Sequence, residues 1–297
     1  MRKFDDSVKR RRHHKGQLMS QWWGFVLFLP SFTGFCVFFL LPFLGSLYYT
    51  FTQGVVDPHF VGFANFIELL STPQFLQAVK NTICFLAIGG LLLIILSLAV
   101  SVISVKGDFV WQRWALLLPM VIPVASLSLG WNALWGDNGL VNRMLVFGGA
   151  DPVDFLRGGA AFPLMVVLYL MKNTGYLSVI LSGAIRALST DLRDSYILDS
   201  NSETGYVLYI LLPQLKGTLL FCGTVAIMNY FLMFRDIYAL YGSNPPEELY
   251  MLQHFMNRNF YQLNYQRLST AAFLTVLVMV MLIGVGALLR RRWRYVE

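Results

Sequence analysis

Long apolar runs, several of them about 20 residues or more, are the feature that most constrains how this chain can fold. A helix of about 20 apolar residues crosses the roughly 30 Å hydrocarbon core of a bilayer. The composition agrees with that, because 56% of the residues are hydrophobic and 13% are charged, against about 25% charged in soluble domains. A soluble globular domain is therefore excluded, and we expect an all-α polytopic membrane protein.

The apolar runs predict six transmembrane helices, at residues 22–51, 82–105, 114–135, 162–185, 217–240 and 270–289. The loops on the side of the two termini carry sixteen Lys and Arg residues, and the opposite loops carry five. This bias places both termini in the cytoplasm. We expect a basic cytoplasmic N-terminus at 1–21, a transmembrane domain at 22–289 and a basic cytoplasmic C-terminus at 290–297, in a multi-pass plasma-membrane protein.

Proline positions predict where helices bend or begin. Pro119 and Pro123 lie in the third apolar run and should kink that helix, because each proline removes a backbone hydrogen bond. In the first outer loop, residues 60–66 precede Pro73, and this pattern predicts a turn and a short interfacial helix.

Sequence signatures of enzymes are missing. The chain has no G-x-x-x-x-G-K-S/T loop, no H-E-x-x-H helix, no paired C-x-x-C and no G-x-S-x-G elbow. The three cysteines lie in apolar runs, where a thiol acts as a small hydrophobic group. We therefore expect no catalytic residue and no metal site.

The longest cytoplasmic loop, 186–216, is unusually polar. Ser189, Thr190 or Asp191 can cap a helix start, and Leu192 and Tyr196 then share one helix face. A short amphipathic helix outside the membrane is one interpretation, and a solvated loop with a helical turn is the other.

This loop resembles the E-A-A-x-x-x-G-x(9)-I-x-L-P loop of binding-protein-dependent ABC importer permeases. The spacing is intact, whereas most residues at the head of the motif differ. The corresponding residues are Asp194, Ser195, Tyr196, Asp199, Ser200, Ile210, Leu212 and Pro213.

Four further stretches resemble the sugar-permease subgroup of that family. They are 60–66 with 78–82, the pairs Leu118-Pro119 and Ile122-Pro123 with Trp131 and 139–142, the K-N-T-G-Y run at 172–176, and 237–240 with 245–246. Together they extend the resemblance over about residues 25–289.

The resemblance implies a type I ABC importer-like permease of a bacterial plasma membrane, without an ATPase site of its own. The loop would form a coupling helix on a separate ABC ATPase, of which there are two, and these would bind ATP and Mg. A second permease, in a heterodimer or a homodimer, and an extracellular solute-binding protein complete the expected assembly. Tyr196 is bulkier than the motif's alanine, so we expect a matching pocket for it on the partner. Ser200 stands where the motif has a glycine. Because glycine permits tight turns that other residues rarely adopt, the backbone at Ser200 is expected to differ from that of the motif.

Polar residues at membrane depth are the candidates for a carbohydrate path, because ionisable groups there usually face a partner or a cavity. Amide and aromatic side chains suit sugars, but they also stabilise helix packing. The candidates are Asn132, Lys172, Asn173, Tyr176, Asn229, Tyr230 and Arg235. The charges of Lys172 and Arg235 suggest an acidic sugar.

The leading hypothesis is that this chain is the permease subunit of an ATP-driven importer of a carbohydrate. The alternative is an ion-coupled secondary transporter, which would need carboxylates in the membrane. Asp236 is the one acidic residue near a predicted span. A membrane-embedded enzyme or an assembly scaffold is a third class, and it would require catalytic clusters that the sequence lacks.

Overall fold

The structure, a computed structural model, describes residues 24–54, 57–107, 110–200 and 202–293. The predicted N-terminal segment 1–21 and residues 294–297 lie outside this range. Two short strands, Thr52–Gln53 and His59–Phe60, pair antiparallel, and the other elements are helices. The first span, Gly24–Phe51, contains a π-helical turn at Cys36–Leu40. The helices outside it are Ala64–Leu70, Pro73–Phe85, Leu91–Gly107, Val110–Val121, Val124–Trp135, Leu140–Phe147, Ala161–Arg186, Thr190–Asp199, Glu203–Gly205, Leu212–Gln214, Lys216–Leu232, Phe234–Tyr241, Leu252–Tyr261 and Tyr265–Trp293, with a 3-10 turn at Glu247–Leu249 and π-helical turns at Leu86–Gly90 and Tyr206–Leu211.

Five helices of the described residues are long and apolar enough to cross a membrane, or six spans if one bent pair is counted as a span. The five are Gly24–Phe51, Pro73–Gly107, Ala161–Arg186, Lys216–Tyr241 and Tyr265–Val285. They coincide with the predicted first, second, fourth, fifth and sixth spans, and we use those names below. We call the side of the 186–216 loop the inner side, following the predicted orientation.

The second span begins nine residues before the prediction, at Pro73 rather than residue 82. Proline suits the first turn of a helix, where its missing N–H group costs nothing. The turns that follow carry Gln77, Lys80 and Asn81, so they are too polar to be part of an apolar run. The span Pro73–Gly107 has 35 residues. At about 1.5 Å per residue it extends about 50 Å, so its outer end projects beyond a bilayer core of roughly 30 Å.

The predicted third span is two helices rather than one. The axes of Ala115–Val121 and Val124–Phe147 differ by 108°. Pro119 lies inside the first helix without ending it, whereas Pro123 is extended, with φ −57° and ψ 142°, immediately before the second. A proline disfavours helical geometry at the residue before it. The expected kink is therefore a full break, and Pro123 is the residue that makes it.

Small residues bring the second and fourth spans together, and this pair packs more extensively than any other pair of described elements. The hydroxyl of Ser101 donates to the carbonyl of Ser178 at 2.9 Å. Gly175 allows the fourth span to cross the helix Val110–Val121 so closely that an added Cβ would overlap the backbone carbonyl of Leu116. Close backbone approach through small residues is typical of membrane helix packing.

Asparagine side chains hold the outer connections in place. The amide of Asn65 donates to the carbonyls of Thr50 and Thr52, both at 3.0 Å. It thereby joins the helix Ala64–Leu70 to the end of the first span, and the predicted turn and short helix are confirmed. Asn142 bonds both backbone groups of Val153, at 2.8 and 2.9 Å. Interactions between loops thus join segments on the same predicted side.

Candidate functional site

A helix does form in the inner loop, at Thr190–Asp199, as the first of the two interpretations predicts. Asp194 and Ser195 are exposed on it. Leu198 is 88% exposed, although it lies outside the spans. The side chain of Asp199 lies outside the described part of the structure. The helix thus presents a mixed polar and apolar face to its surroundings, and Leu198 on that face was missed from the sequence.

Tyr196 packs against its own chain, and the expected pocket on a partner is therefore not required. Its ring lies 5.9 Å from the ring of Tyr206, measured between centroids. Its hydroxyl group occupies the space that a Cβ at Gly205 would need. Gly205 is buried, and nothing in the motif resemblance indicated its role.

The chain passes from the inner helix to the fifth span through a capped turn. The backbone N–H of Ser200 donates to the carbonyl of Tyr196 at 2.9 Å, so a serine is accommodated at this position. The hydroxyl of Ser202 caps the next helix by accepting the N–H of Gly205 at 3.1 Å. This helical path then runs through the half-buried Ile210, Leu212 and Pro213.

Pro213 occupies the first turn of the helix Leu212–Gln214, a position that suits proline because its missing N–H group costs nothing there. It follows the π-helical turn Tyr206–Leu211. The next residues, after a turn at Leu215, form the fifth span. The inner loop is therefore continuous with that span.

An ion pair joins this path to the second span. Lys106, at the inner end of that span, contacts Glu203. The hydrogen bond from Lys106 lowers the pKa of the Glu203 carboxyl. Because both side chains are well exposed, the pair orients the segment more than it stabilises it.

Lys172 is paired with Asp236 across the fourth and fifth spans. Its Nζ lies 2.7 and 2.8 Å from the two carboxylate oxygens. The side chains are 15% and 5% exposed. Lys172 is therefore charge-compensated within the chain, and it no longer supports the expectation of an acidic sugar.

Two further candidates are enclosed by the core. The amide of Asn173 donates to the carbonyl of Tyr169, one turn earlier on the same helix, at 2.8 Å. The hydroxyl of Tyr230 donates to the Sδ atom of Met251 at 3.0 Å. Its ring lies 5.3 Å from that of Phe85. Both residues have packing roles here, as the alternative interpretation allows.

The remaining candidates are more accessible. Asn132 and Arg235 are exposed, and Tyr176 and Asn229 are half-buried. The amide nitrogen of Asn229 is itself buried and has no hydrogen-bond partner among the described residues. Lys172 and Tyr176 lie one turn apart on the same face of the fourth span.

Like the amide of Asn229, two indole N–H groups lack a hydrogen-bond acceptor among the described residues. The Nε1 atoms of Trp131 and Trp135 are buried without a partner among the described residues, and the two rings lie 6.1 Å apart. Trp135 was missed from the sequence, although two tryptophans four residues apart face the same way on a helix. A buried donor left unpaired costs about 1–3 kcal/mol, so these groups destabilise the structure as it stands.

A cleft of about 620 Å³ opens on the outer side. It lies between the start of the second span and two outer loops, and both signs of charge line it through Lys80, Arg157, Glu247 and Glu248. Asn81 donates to the carbonyls of Glu247 and Tyr250 at 2.7 and 3.0 Å, which fixes one wall of the cleft. No group of three or more potential metal ligands occurs among the residues that the structure describes.

His254, on the outer helix Leu252–Tyr261, should make stability depend on pH. Its Nδ1 accepts the N–H of Met251 at 3.3 Å, and burial lowers its pKa from 6.5 to about 4. The unfolded chain takes up a proton below about pH 6.5, whereas the folded chain does so only near 4. Stability is thus expected to fall as the pH drops through this window, by about 2 kcal/mol at pH 5. Thermal unfolding in detergent at pH 7.5 and 5 should show a smaller loss for His254→Gln, and an equal loss would contradict the prediction.

The chain is similar in sequence to transport permeases along most of its length. It is 26% identical over 266 residues to the trehalose/maltose transport system permease MalF of Thermococcus litoralis, covering 87% of this chain and 90% of that one. It is 27% identical over 285 residues to the sn-glycerol-3-phosphate permease UgpA of Rhizobium meliloti, covering 92% and 94%. No protein-family model matches the chain.

The fold is similar to that of a solved transporter. A chain of a bacterial ABC transporter that imports the acidic polysaccharide alginate superposes with a TM-score of 0.77 at 21% identity, covering 93% of this chain and 97% of that one. A second structure of the alginate ABC transporter, in complex with a periplasmic protein that holds an alginate pentasaccharide, gives the same score at 22% identity. The resemblance that the sequence predicts, to the permease subunits of sugar ABC importers, is therefore confirmed, and the fold is that of an ABC importer permease.

Proposed function

We propose that this chain is the membrane-spanning permease subunit of an ATP-driven importer that moves a carbohydrate by alternating access. The observation that carries the proposal is the helix Thr190–Asp199, which stands outside the spans and exposes Asp194, Ser195 and Leu198. A helix outside the spans that exposes polar and apolar side chains together is available to contact another protein. We call this segment the coupling helix.

The coupling helix would dock on a separate ABC ATPase. Two such ATPase subunits would bind ATP and Mg and close on each other, while this chain hydrolyses nothing itself. The path from Glu203 through Pro213 into the fifth span supports such a lever, because it is helical apart from the turn at Leu215. A second permease, in a heterodimer or homodimer, would complete the pore.

The proposed substrate is a carbohydrate, in line with the names of several relatives. The unpaired donors of Asn229, Trp131 and Trp135 support this. They are buried in this structure, and a movement of the spans that exposed them would offer donors to the hydroxyl and ring oxygens of a sugar. The more accessible candidates Asn132, Tyr176 and Arg235 belong to the same proposed path. The mixed charges of the outer cleft suit contact with an extracellular solute-binding protein that delivers the substrate.

Affinity purification of the chain from its native membranes in mild detergent tests this function. Mass spectrometry should find an ABC ATPase and a second six-helix permease or an unlabelled copy of this chain. If the chain is recovered alone and moves substrate in ATP-free vesicles under an ion gradient, the secondary-transporter alternative replaces the proposal.

Leu198→Asp should reduce the ATPase recovered in this purification at least tenfold, because it places a charge in the proposed interface. Phe147→Asp is the matched control, since Phe147 is 96% exposed at the end of an outer helix. It should leave recovery within twofold of the wild type. Equal recovery from both variants would place the ATPase contact elsewhere.

A further inference from the structure

The coupling helix has one main packing partner among the elements that the structure describes. The π-helical turn Tyr206–Leu211 is the described element against which it packs most. Within that contact, the side chain of Tyr196 reaches back to the start of the path that leads into the fifth span. This contact therefore links the orientation of the coupling helix to the start of that path.

Tyr196 packs closely against both Gly205 and Tyr206 in this contact. The hydroxyl of Tyr196 fills the position beside Gly205 where any other residue would place its Cβ. The ring of Tyr196 packs on that of Tyr206 at 5.9 Å with an interplanar angle of 54°. Gly205 is held in turn by its N–H, which donates to the capping hydroxyl of Ser202 at 3.1 Å.

We propose that Tyr196 and Gly205 form a lock that fixes the coupling helix on the path into the fifth span, and that both are positioning residues for ATPase coupling. The inference rests on the proposed function for its role in transport, but the lock itself is a property of this chain. A helix that pivoted freely at the turn around Ser200 would absorb the movement of a docked ATPase. With Tyr196 seated on Gly205, the helix and the inner end of the fifth span move together.

The ion pair between Lys106 and Glu203 ties the same path to the second span. Glu203 lies two residues before Gly205, so the lock and the ion pair act on one turn of helix. A movement of the coupling helix would then reach two spans.

The geometry allows a suppressor experiment. In Gly205→Ala, the new methyl group overlaps the Tyr196 hydroxyl and should displace the Tyr196 side chain from its contact with residue 205. In Tyr196→Phe with Gly205→Ala, that hydroxyl is absent, and the nearest remaining atoms are those of Ser202 at 3.3 and 3.4 Å from the added Cβ. Gly223→Ala is the matched control, because its added Cβ meets one atom only, at 3.9 Å.

Hydrogen exchange of the 190–199 amides in the purified complex measures the lock directly. We expect exchange at least tenfold faster in Gly205→Ala, and near wild-type rates in the double variant and in Gly223→Ala. Unchanged exchange in Gly205→Ala, or a loss that the double variant does not repair, overturns the lock. If Gly205→Ala does not fold, Tyr196→Ala should give the faster exchange and Tyr196→Phe should not, and equal rates in those two overturn it as well.

Stimulation of ATP hydrolysis in the same complexes by the solute-binding protein, purified from the same cells with its native sugar bound, measures the role in coupling. Gly205→Ala should keep its ATPase subunits and its unstimulated hydrolysis but lose stimulation about tenfold, and the double variant should regain it. Full stimulation with fast exchange would show that the lock does not act in coupling. A wild-type complex without any stimulation would reject the proposed function, while the exchange result would still decide whether the lock exists.

Discussion

Asp236→Asn should remove most of the folded protein, because it leaves the ammonium group of Lys172 without its counter-charge in a largely buried site. Breaking one partner of a buried ion pair costs about 3–5 kcal/mol, which is a large share of the stability of a typical protein. The measurement is the yield of detergent-extracted monodisperse protein together with its thermal midpoint. Lys172→Met should have a similar effect, since it leaves the carboxylate unpaired.

The double variant Lys172→Met with Asp236→Leu should recover much of this loss, because replacing a buried pair by apolar residues is often neutral. Arg235→Gln is the matched control for stability, since Arg235 is the exposed neighbour of Asp236. It should change the midpoint little. Single variants as stable as the wild type would show that the pair is not formed in the membrane.

The same double variant separates structure from transport. If Lys172 serves only to pair with Asp236, restored stability should bring restored uptake. If Lys172 also contacts the substrate, the double variant should be stable and inactive. Uptake in proteoliposomes, measured beside the thermal midpoint, distinguishes these outcomes.

Gly175→Ala should be the most damaging change of a single methyl group in the fourth span. The added Cβ would overlap the carbonyl oxygen of Leu116, which is backbone and cannot rotate away as a side chain would. The helix Val110–Val121 would have to move, and its approach to the fourth span would be lost. Overpacking of this kind costs about 1–3 kcal/mol and occasionally more, and we expect the upper end of that range as a lowered thermal midpoint.

Gly183→Ala, two turns further along the same helix, is the control. An added Cβ there meets no atom within 4 Å. Alanine favours helix over glycine by up to about 1 kcal/mol, so this variant should be unchanged or slightly more stable. If both variants lost stability equally, the close crossing at Gly175 would not be the cause.

The spans were predictable because hydrophobicity along the chain records the bilayer directly. The ends of the spans were harder to predict than the spans themselves. The outer turns after Pro73 carry polar side chains, so a search for apolar runs does not include them. Pro119 and Pro123 look alike in sequence, yet only Pro123 breaks the helix. Which of two prolines does so depends on the packing on either side, and sequence spacing does not reveal that.

The candidate site was predictable as a set of residue types and much less so as a set of partners. Lys172 was identified from its unusual place in an apolar run, but its partner is 64 residues away in sequence. Tyr196 was recognised as too large for its position, and the expected remedy was a pocket on another protein. The remedy lies nine residues further along the same chain, at Gly205, and a glycine carries no chemical sign of such a role.

The break before Val124 also bears on how the membrane orientation is inferred for chains of this kind. A count that requires one unbroken helix per crossing finds five among the described residues. An odd count would leave the arginine-rich end of the sixth span on the opposite side from the basic N-terminus. Only if the bent pair is counted as a crossing does the parity agree with the charge bias. How the break at Pro123 is counted therefore decides on which side of the membrane the loops of the second half of such a protein are placed.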